Sequence, residues 1–592
     1  MLLKKVYIKG FRNFKEATCN FDEHSLIIGA NDVGKTNLIH ALRLLLDKGI
    51  SDYDAELNES DFYAYEDTNE VVIRAYFENV TEGCVTARLG EYISDDGKLV
   101  IQYTAKFNAG KVEYQYHIGR SDAPEDLLLK ENAFYRKYLN LKYIGSRRDF
   151  WSYINKTKSL LLTQTKADRD AATIATDDTL YADIEDKLKY VDEHIPELSY
   201  VKNATDQINA ELNKLSIHNQ EQKIVFDTSN TNIDRVISTV SLASKHDEKK
   251  MLIGGEGRIN QIYLSLWASQ NQQAEISNEV SIICVEEPEA YLHPHQQREL
   301  AAYLGRTLNG QTILTSHSPF IVSEFSPNSI IRLYKDKEED NSTQVASDGC
   351  SEVIKKGFED FGYRMSVIPA EAFFADFAVL VEGPSELTFY KTLAKKIDIN
   401  LDRLNISVLD VAGVGFDVYI AILDALCIDW AMRTDNDVMK IPYHDGYRYA
   451  GIERGLDRLE YSFNLDDELQ KRIEGLKKKI HGFDRDNEPP ETKTAAKELI
   501  KILDDYNIFI AVDDLENDML NSPLRGSLKK FYDEKSEMTD AEIVEKMKEH
   551  KAINMYDYLK KHKDSLALLK DDALALPLVR AKERIEEQYG SY

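Results

Sequence analysis

Three short apolar runs in the second half of the chain each end on carboxylates. Phe377 to Val381 leads into Glu382-Gly383-Pro384-Ser385-Glu386, a run from Leu426 leads to Thr434-Asp435-Asn436-Asp437, and Ile508 to Val512 ends on Asp513-Asp514-Leu515-Glu516. Short stretches that are apolar at successive positions read as strands buried on both faces, the condition of a parallel sheet. Open α/β sheets place their sites beyond the carboxyl ends of the strands. The expected product is a Rossmann-like parallel sheet with Glu382, Glu386, Asp435, Asp437, Asp514 and Glu516 gathered at one edge.

So many carboxylates cannot all stay ionised side by side without a cation, because like charges raise one another's pKa. Ligands that are all oxygen suit Mg²⁺ or Mn²⁺. Two such ions, about 3.5–4 Å apart, would stabilise the attacking and leaving oxygens of phosphodiester cleavage. The expectation is a metal-dependent phosphoryl-transfer site, and a nuclease. The plainer alternative is that these strand-end acids only cap the helices that follow.

The other strongly constrained stretch lies near the N-terminus. An apolar run, Ser25 to Ile28, feeds Gly29-Ala30-Asn31-Asp32-Val33-Gly34-Lys35-Thr36, and an amphipathic helix follows from Asn37 to Leu46. This is G-x-x-x-x-G-K-T between a strand and a helix, where backbone N–H groups wrap phosphates at the helix N-terminus. Lys35 would reach the β and γ oxygens of ATP and Thr36 a Mg²⁺. Ser281 to Val285 is a buried strand ending in Glu286-Glu287-Pro288-Glu289, and Gln311 to Thr315 is another ending in Ser316-His317. In a MgATP site Glu286 would face the metal, Glu287 would act as base and His317 would sense the γ-phosphate.

Between these landmarks the chain divides by pattern. Residues 1–150 read as the first part of an ATP-binding head, with strands at Val71 to Phe77 and Leu99 to Phe107. Residues 151–245 read as a helical insertion in which Ile184, Leu188, Val191 and Ile195 form a heptad-like seam stopped by Pro196, resumed by Ile208, Leu212 and Leu215. That seam fits an arm pairing with another copy and fits an ordinary helical hairpin equally. Residues 246–370 read as the rest of the head, with Ile253 to Arg258 preceding a helix from Ile259 to Ser269. The carboxylate-bearing part spans 376–520, with 465–507 as a highly charged, exposed helical insertion broken by Pro489-Pro490, and 521–592 is helical and polar.

Composition excludes several classes. The net charge of -28 argues against a protein that coats nucleic acid non-specifically, since such affinity comes from Lys and Arg. Local basic stretches remain at Arg147-Arg148, Lys477-Lys478-Lys479 and Lys560-Lys561 with Lys563, each read as a solvated face in preference to a DNA contact. Five scattered cysteines with no C-x-x-C pair imply neither a disulfide framework nor a zinc site, as expected in a reducing cytoplasm. No apolar run is long enough to span a membrane, and the N-terminus reads as a strand instead of a signal peptide.

Taken in order, these motifs resemble the OLD nuclease family: α/β throughout, an ABC/SMC-type ATPase head with a helical insertion, then a Toprim domain and a helical C-terminal part. Within that family the chain looks like the nuclease subunits of the Gabija anti-phage system, which share Gly-x-Asn-Asp-x-Gly-Lys-Thr-Asn (Gly29 to Asn37), Glu-Gly-Pro-Ser-Glu, Thr-Asp-Asn-Asp and Asp-Leu-Glu-Asn-Asp (Asp514 to Asp518). The resemblance implies that Glu382, Glu386, Asp435, Asp437, Asp514 and Glu516 hold the metals and that Lys551 stabilises charge at the scissile phosphate. It extends the nucleotide site to Asn31, Asn37, Gly255 and Gly257. It also implies a DNA substrate, a homo-oligomer (dimer or tetramer) built through head and insertion, and a UvrD-like helicase partner. ABC heads carry Leu-Ser-Gly-Gly-Gln where this chain has Ile253-Gly254-Gly255-Glu256-Gly257, and Glu286 stands where Asp is commoner. Both departures favour a head that senses nucleotide and gates the nuclease over one that turns ATP over rapidly. The alternatives are an OLD-type effector of another defence system, such as a retron, or an SMC-like clamp with an inactive Toprim fold. A topoisomerase or primase is disfavoured, since no tyrosine-bearing or zinc-binding partner domain is recognisable.

Overall fold

The computed structural model describes residues 1–590 except 64–67, 109–110, 147–149, 216–222, 226–232, 234–235, 238–241, 247–248, 252–253, 274–278, 308–309, 337–340, 351–369, 412–414, 486 and 534–537. Arg147, Arg148, Ile253 and part of the polar stretch before Ala370 therefore lie outside the described residues.

The head is built from two six-stranded sheets. One is antiparallel and includes Leu2–Phe11, Glu70–Glu78 and Leu99–Asn108, with strict alternation of buried and half-exposed residues along Glu70–Glu78. The other runs in the order Ser342–Val345, Ile330–Asp336, His24–Ile28, Thr312–Thr315, Val280–Glu286, Leu139–Ile144, and only its first pair is antiparallel. The helix Lys35–Leu46 packs between them, with Leu38, Ile39, Leu42 and Leu45 buried against Ile73 and Ile101 from one sheet and Ile27 and Ile313 from the other.

The apolar runs ending on carboxylates form one four-stranded parallel sheet, in the order Ile406–Asp410, Phe377–Val381, Asp429–Thr434, Ile508–Ile510. The last strand is shorter than its apolar run, because Ala511 and Val512 already belong to the turn towards Asp514. Every residue of Phe377–Val381 is buried. Phe377, Val379 and Val381 face a core made with the C-terminal helices, including Leu559, Leu566 and Leu578, while Ala378 and Leu380 face the opposite core. The segment after residue 521 is thus one wall of this sheet. The charged 465–507 stretch is likewise less exposed than its composition suggests. Its helix Pro490–Asp505 buries Ala495, Leu499 and Leu503 in the same core as Leu380, and His481–Phe483 becomes the third strand of a small antiparallel sheet with Val438–Lys440 and Tyr447–Tyr449.

Head and carboxylate sheet meet at Arg332. This buried arginine sits in register with Ile28, the last residue of the P-loop strand. Its guanidinium donates to the carbonyls of Leu426, Cys427 and Ala375 (3.0, 2.9 and 3.2 Å) and pairs with Asp376 (3.1 Å), the residue before Phe377.

In the helical insertion, Phe150–Ala167, Ala171–His194 and Ser199–Leu215 are helices, and the second ends just before Pro196. None of the residues of Ala171–His194 is buried; Ile184, Val191, Ile208 and Leu212 are each at least 40% exposed. Among the described residues no helix is long and apolar enough to cross a membrane.

Candidate active site

Glu382 follows its strand directly, and the neighbouring strand ends at Thr434, so Asp435 arrives beside it. Glu382 Oε1 accepts hydrogen bonds from the backbone N–H of Asp435 (2.9 Å) and the hydroxyl of Thr434, and Arg454 pairs with it at 2.8 Å. The other guanidinium nitrogen of Arg454 lies 3.6 Å from Asp437, which is half exposed. Asp435 Oδ1 accepts the N–H of Leu515 (3.2 Å), which ties the second strand to the turn carrying Asp514 and Glu516. Burial, then the charges of Glu382 and Glu386, push the Asp435 carboxyl up to about 7.

Asp514 caps the helix Leu515–Asn521: its Oδ1 accepts the N–H of Asn517 at 2.9 Å. The capping alternative therefore describes one of its oxygens. The other pairs with Lys548 at 2.6 Å, and despite opposing burial this ion pair, with the Asn517 bonds, holds its carboxyl below the usual range. Glu516 is 2% exposed, and its Oε2 is buried without a hydrogen-bond partner, Lys551 Nζ lying 3.4 Å off. Lys551 also reaches Asp435 at 3.9 Å; Glu516 and Asp435 raise its pKa against the effect of burial.

Glu386 is placed differently from the rest. Its Oε2 accepts the N–H groups of Glu382 (2.6 Å) and Gly383 (3.2 Å), closing the first turn of the helix Pro384–Lys396. Its Oε1 is 3.1 Å from Arg433, an arginine buried within the strand Asp429–Thr434 that also binds Asp518 at 2.6 Å. Both oxygens of Glu386 are thus engaged by the chain itself.

The donor set fits divalent cations of the Mg²⁺ or Mn²⁺ kind, since it is all carboxylate and includes the buried, unbonded Glu516 oxygen. As they lie, no three acidic, His or Cys side chains of the described residues converge on one ion position. Arg454 draws Glu382, Lys548 draws Asp514 and Lys551 draws Glu516. Sequence reasoning missed Arg433, Arg454 and Lys548. Arg433 was visible as a cation inside an otherwise apolar run, whereas nothing in the sequence marks the other two.

The second cluster surrounds the P-loop. Gly29 (φ 150°) and Gly34 (φ 110°) take backbone conformations that side chains disfavour, and a Cβ on Gly34 would lie 2.0 Å from Asn13 Nδ2. Lys35 is 7% exposed and its Nζ donates to the carbonyls of Gly29 (2.9 Å) and Ala30 (2.7 Å). Burial pulls its pKa down to about 8, against the pull of Glu287, Asp32, Glu289 and Glu286. Asn31 and Thr36 are exposed at the loop mouth, while Asn37 is locked by Arg12 (2.9 Å) and Asn13 (2.6 Å).

Glu286 ends its strand in register with Thr315 and accepts the Tyr143 hydroxyl at 2.9 Å; burial raises its pKa. Glu287 has φ 44°, and its carboxylate lies 3.7 Å from His317 Nε2. Glu289, which the sequence reading left without a role, accepts Ser316 Oγ (2.7 Å) and the N–H of His317 (2.9 Å), so it fixes the strand end that carries the histidine. Gly257 lies tight against Tyr291 and Gly255 (φ 85°) faces open space.

The family model for an AAA ATPase domain matches residues 1–322, and the model for an "Overcoming lysogenization defect protein-like, TOPRIM domain" matches residues 373–437. Asp514, Glu516 and Lys551 fall beyond that match, and it is the fold that brings their segments to Asp435. Among curated proteins the chain is similar to Endonuclease GajA of Bacillus cereus (strain VD045), 24% identical over 560 residues, 90% of this chain and 92% of that protein. It is 22% identical to the OLD nuclease of Thermus scotoductus over 74% of this chain and 83% of that one. It is also 22% identical to the Old nuclease of Escherichia phage P2, over 74% and 77% respectively. With an AAA ATPase head followed by an OLD-like Toprim domain, and likeness to such nucleases over most of its length, the chain belongs to the OLD nuclease family.

Proposed function

We propose that this protein is a divalent-metal-dependent DNA endonuclease or nickase whose cutting is controlled by nucleotide in the head, acting in anti-phage defence of the Gabija type. The observation that carries the reading is the juxtaposition of Glu382, Asp435 and Glu516 with Lys551 at one edge of a parallel sheet.

Glu382, Asp435, Asp437, Asp514 and Glu516 would hold Mg²⁺ or Mn²⁺, which when bound supplies an activated water and neutralises the leaving oxygen. Glu386 would join them only by releasing Arg433, so its present work is to orient Glu382 through the backbone N–H it accepts. Lys551 stands where it can place a positive charge on the scissile phosphate as negative charge develops there. Lys548 keeps Asp514 ionised and oriented.

In the head, Gly34, Lys35, Thr36 and the flanking Asn31 and Asn37 would hold the ATP phosphates, Glu286 the metal side, Glu287 the attacking water and His317 the γ-phosphate end. Gly255 and Gly257 would face the nucleotide of a second copy. Arg332 supports control between the sites, since it joins the strand beside the P-loop strand to the start of the strand that carries Glu382. The exposed apolar seam of Ile184, Val191, Ile208 and Leu212 supports a homo-oligomer. A UvrD-like helicase partner and a cytoplasmic location complete the proposal on the family resemblance.

The test is cleavage of supercoiled plasmid in Mg²⁺ or Mn²⁺, with and without ATP, by wild type and Glu382→Ala. Metal-dependent nicking or cutting that the substitution abolishes is expected, and the ATP lanes give the sign of the control. Cleavage that survives in Glu382→Ala would remove the carboxylate edge from the reaction.

A further inference from the structure

We propose that the small antiparallel sheet of Val438–Lys440, Tyr447–Tyr449 and His481–Phe483 is a DNA-gripping platform, with Tyr443 at its tip stacking on a base next to the cleavage point. This rests on the nuclease reading above and names how the substrate would be held.

The sheet is continuous with the carboxylate edge. Val438 follows Asp437, and the chain returns at Ala450, whose N–H donates to the carbonyl of Asp437 at 2.8 Å. Its tip is built, not loose. Ile441 N–H donates to Gly446 O (2.9 Å), His444 N–H to Ile441 O (3.2 Å) and Gly446 N–H to His444 Nδ1 (3.1 Å). A Cβ on Gly446 would lie 2.7 Å from Gly482 Cα, so the hairpin and the third strand touch backbone to backbone and only glycine permits it.

This rigid tip holds Tyr443 at φ 61° with a relative exposure of 109%. A bulky side chain in the left-handed region is strained, and this one recovers nothing by burial. Strain of that kind persists where a side chain is presented for use. Ile441 and Pro442 precede it, so the tip offers an apolar and aromatic face.

Charge selects the partner. Residues 438–449 and 477–485 carry Lys440, Arg448, Lys477, Lys478, Lys479 and Arg485 against Asp445 and Asp484, in a chain whose net charge is -28. Lys440, Arg448 and Lys477 pair with Asp445, Glu453 and Asp457 respectively. Lys478 and Lys479 are exposed with no acid paired to them among the described residues. Arg485 lies over the ring of Tyr447 (6.0 Å), and Tyr449 stacks on Phe483 (5.0 Å). Cations with interleaved aromatic rings match a phosphate backbone whose bases offer flat faces. In this proposal Lys478 and Lys479, and not the paired Lys477, are the residues of the basic run that contact DNA.

Binding of a short fluorescein-labelled DNA duplex carrying a single-stranded gap whose unstacked bases can meet a ring, with Ca²⁺ replacing Mg²⁺ to prevent cutting, tests this in wild type, Tyr443→Ala and the double variant Lys478→Glu/Lys479→Glu. Tyr443→Ala should weaken binding by about tenfold or more. The charge reversal should weaken it further and lower the slope of log affinity against log salt by about two. Mn²⁺-dependent hydrolysis of bis(p-nitrophenyl) phosphate, too small to reach the platform, should be unchanged in both variants. Binding by both variants within about twofold of wild type, or no binding by wild type, would overturn the platform. So would an equal loss of small-diester hydrolysis, because the substitutions would then act through the carboxylate edge. Should wild type bind the duplex yet cut neither plasmid nor small diester, the nuclease reading fails while the platform stands.

Discussion

In the head, a single lysine closes back on its own loop: Lys35 is buried, bonds the carbonyls of Gly29 and Ala30, and has its pKa pulled down to about 8. In the Toprim sheet, cations from three separate helices reach carboxylates at strand ends: Arg454 to Glu382, Lys548 to Asp514, Lys551 to Glu516. Both sites lie beyond the carboxyl ends of parallel strands, but only the Toprim edge pairs its acids with cations. The head presents a cradle of N–H groups and one cation to an anionic ligand. The Toprim edge presents anions, provisionally matched by side chains, to a cationic one. One topological position therefore serves opposite charges, and the side chains decide which.

The largest break in this comparison is expected from Glu382→Gln. The amide keeps the contacts with Asp435 N–H and Thr434 but loses the charge, so DNA cleavage should fall by about a thousandfold or more. Nucleotide binding by the head, measured by titration with a fluorescent ATP analogue, should stay at the wild-type value. A parallel loss of both would mean that the two sites are one cooperative unit.

Next comes the contrast between the two arginines of the Toprim edge. Arg433 is 4% exposed and holds the buried Glu386 and the half-buried Asp518, so Arg433→Met should cost about 3–5 kcal/mol in urea unfolding, chiefly by stranding Glu386. Arg454 is 31% exposed, and Arg454→Met should shift stability by no more than about 1 kcal/mol. Because it shares Glu382 and Asp437 with any bound cation, its loss should instead raise Mn²⁺ affinity, read by electron paramagnetic resonance of free Mn²⁺. Equal destabilisation by the two variants would show that Arg454 is a structural partner.

These arginines also mark where the sequence stops being informative. The strands and the placing of their acids are local features: five apolar residues running into Glu382 state both the strand and the acid at its end, and the glycine and lysine spacing of Gly29 to Thr36 does the same for the loop between strand and helix in the head. Partnership is not local. Arg454 sits on a helix whose amphipathic pattern accounts for it as a surface residue, and Lys548 is one of many lysines near the C-terminus. The 465–507 stretch was misleading for a related reason. Its charges dominate composition, while the apolar positions Ala495, Leu499 and Leu503 that bury the helix are spaced four apart and diluted among them. Glu386 shows the converse: its spacing from Glu382 suits a shared ligand site, yet in three dimensions Arg433 claims it.

In the head, Lys35→Ala should weaken nucleotide binding by about 2–3 kcal/mol, the worth of charge-assisted hydrogen bonds, without reducing metal-dependent cleavage in the absence of nucleotide. A smaller and sharper effect comes from pH. The free protein holds Lys35 at a pKa of about 8 because burial disfavours the ammonium, whereas triphosphate oxygens favour it, so the bound form has the higher value. Binding then takes up a proton above that point. Nucleotide affinity should be flat with respect to Lys35 below pH 8 and fall by up to about tenfold per unit as pH rises through and beyond it. Lys35→Arg keeps its charge throughout this range, so its affinity should be independent of pH between 8 and 9.5, about where the wild type declines. An identical decline in the arginine variant would move the titration to another group at the site, and the head would then hold its lysine charged from the start.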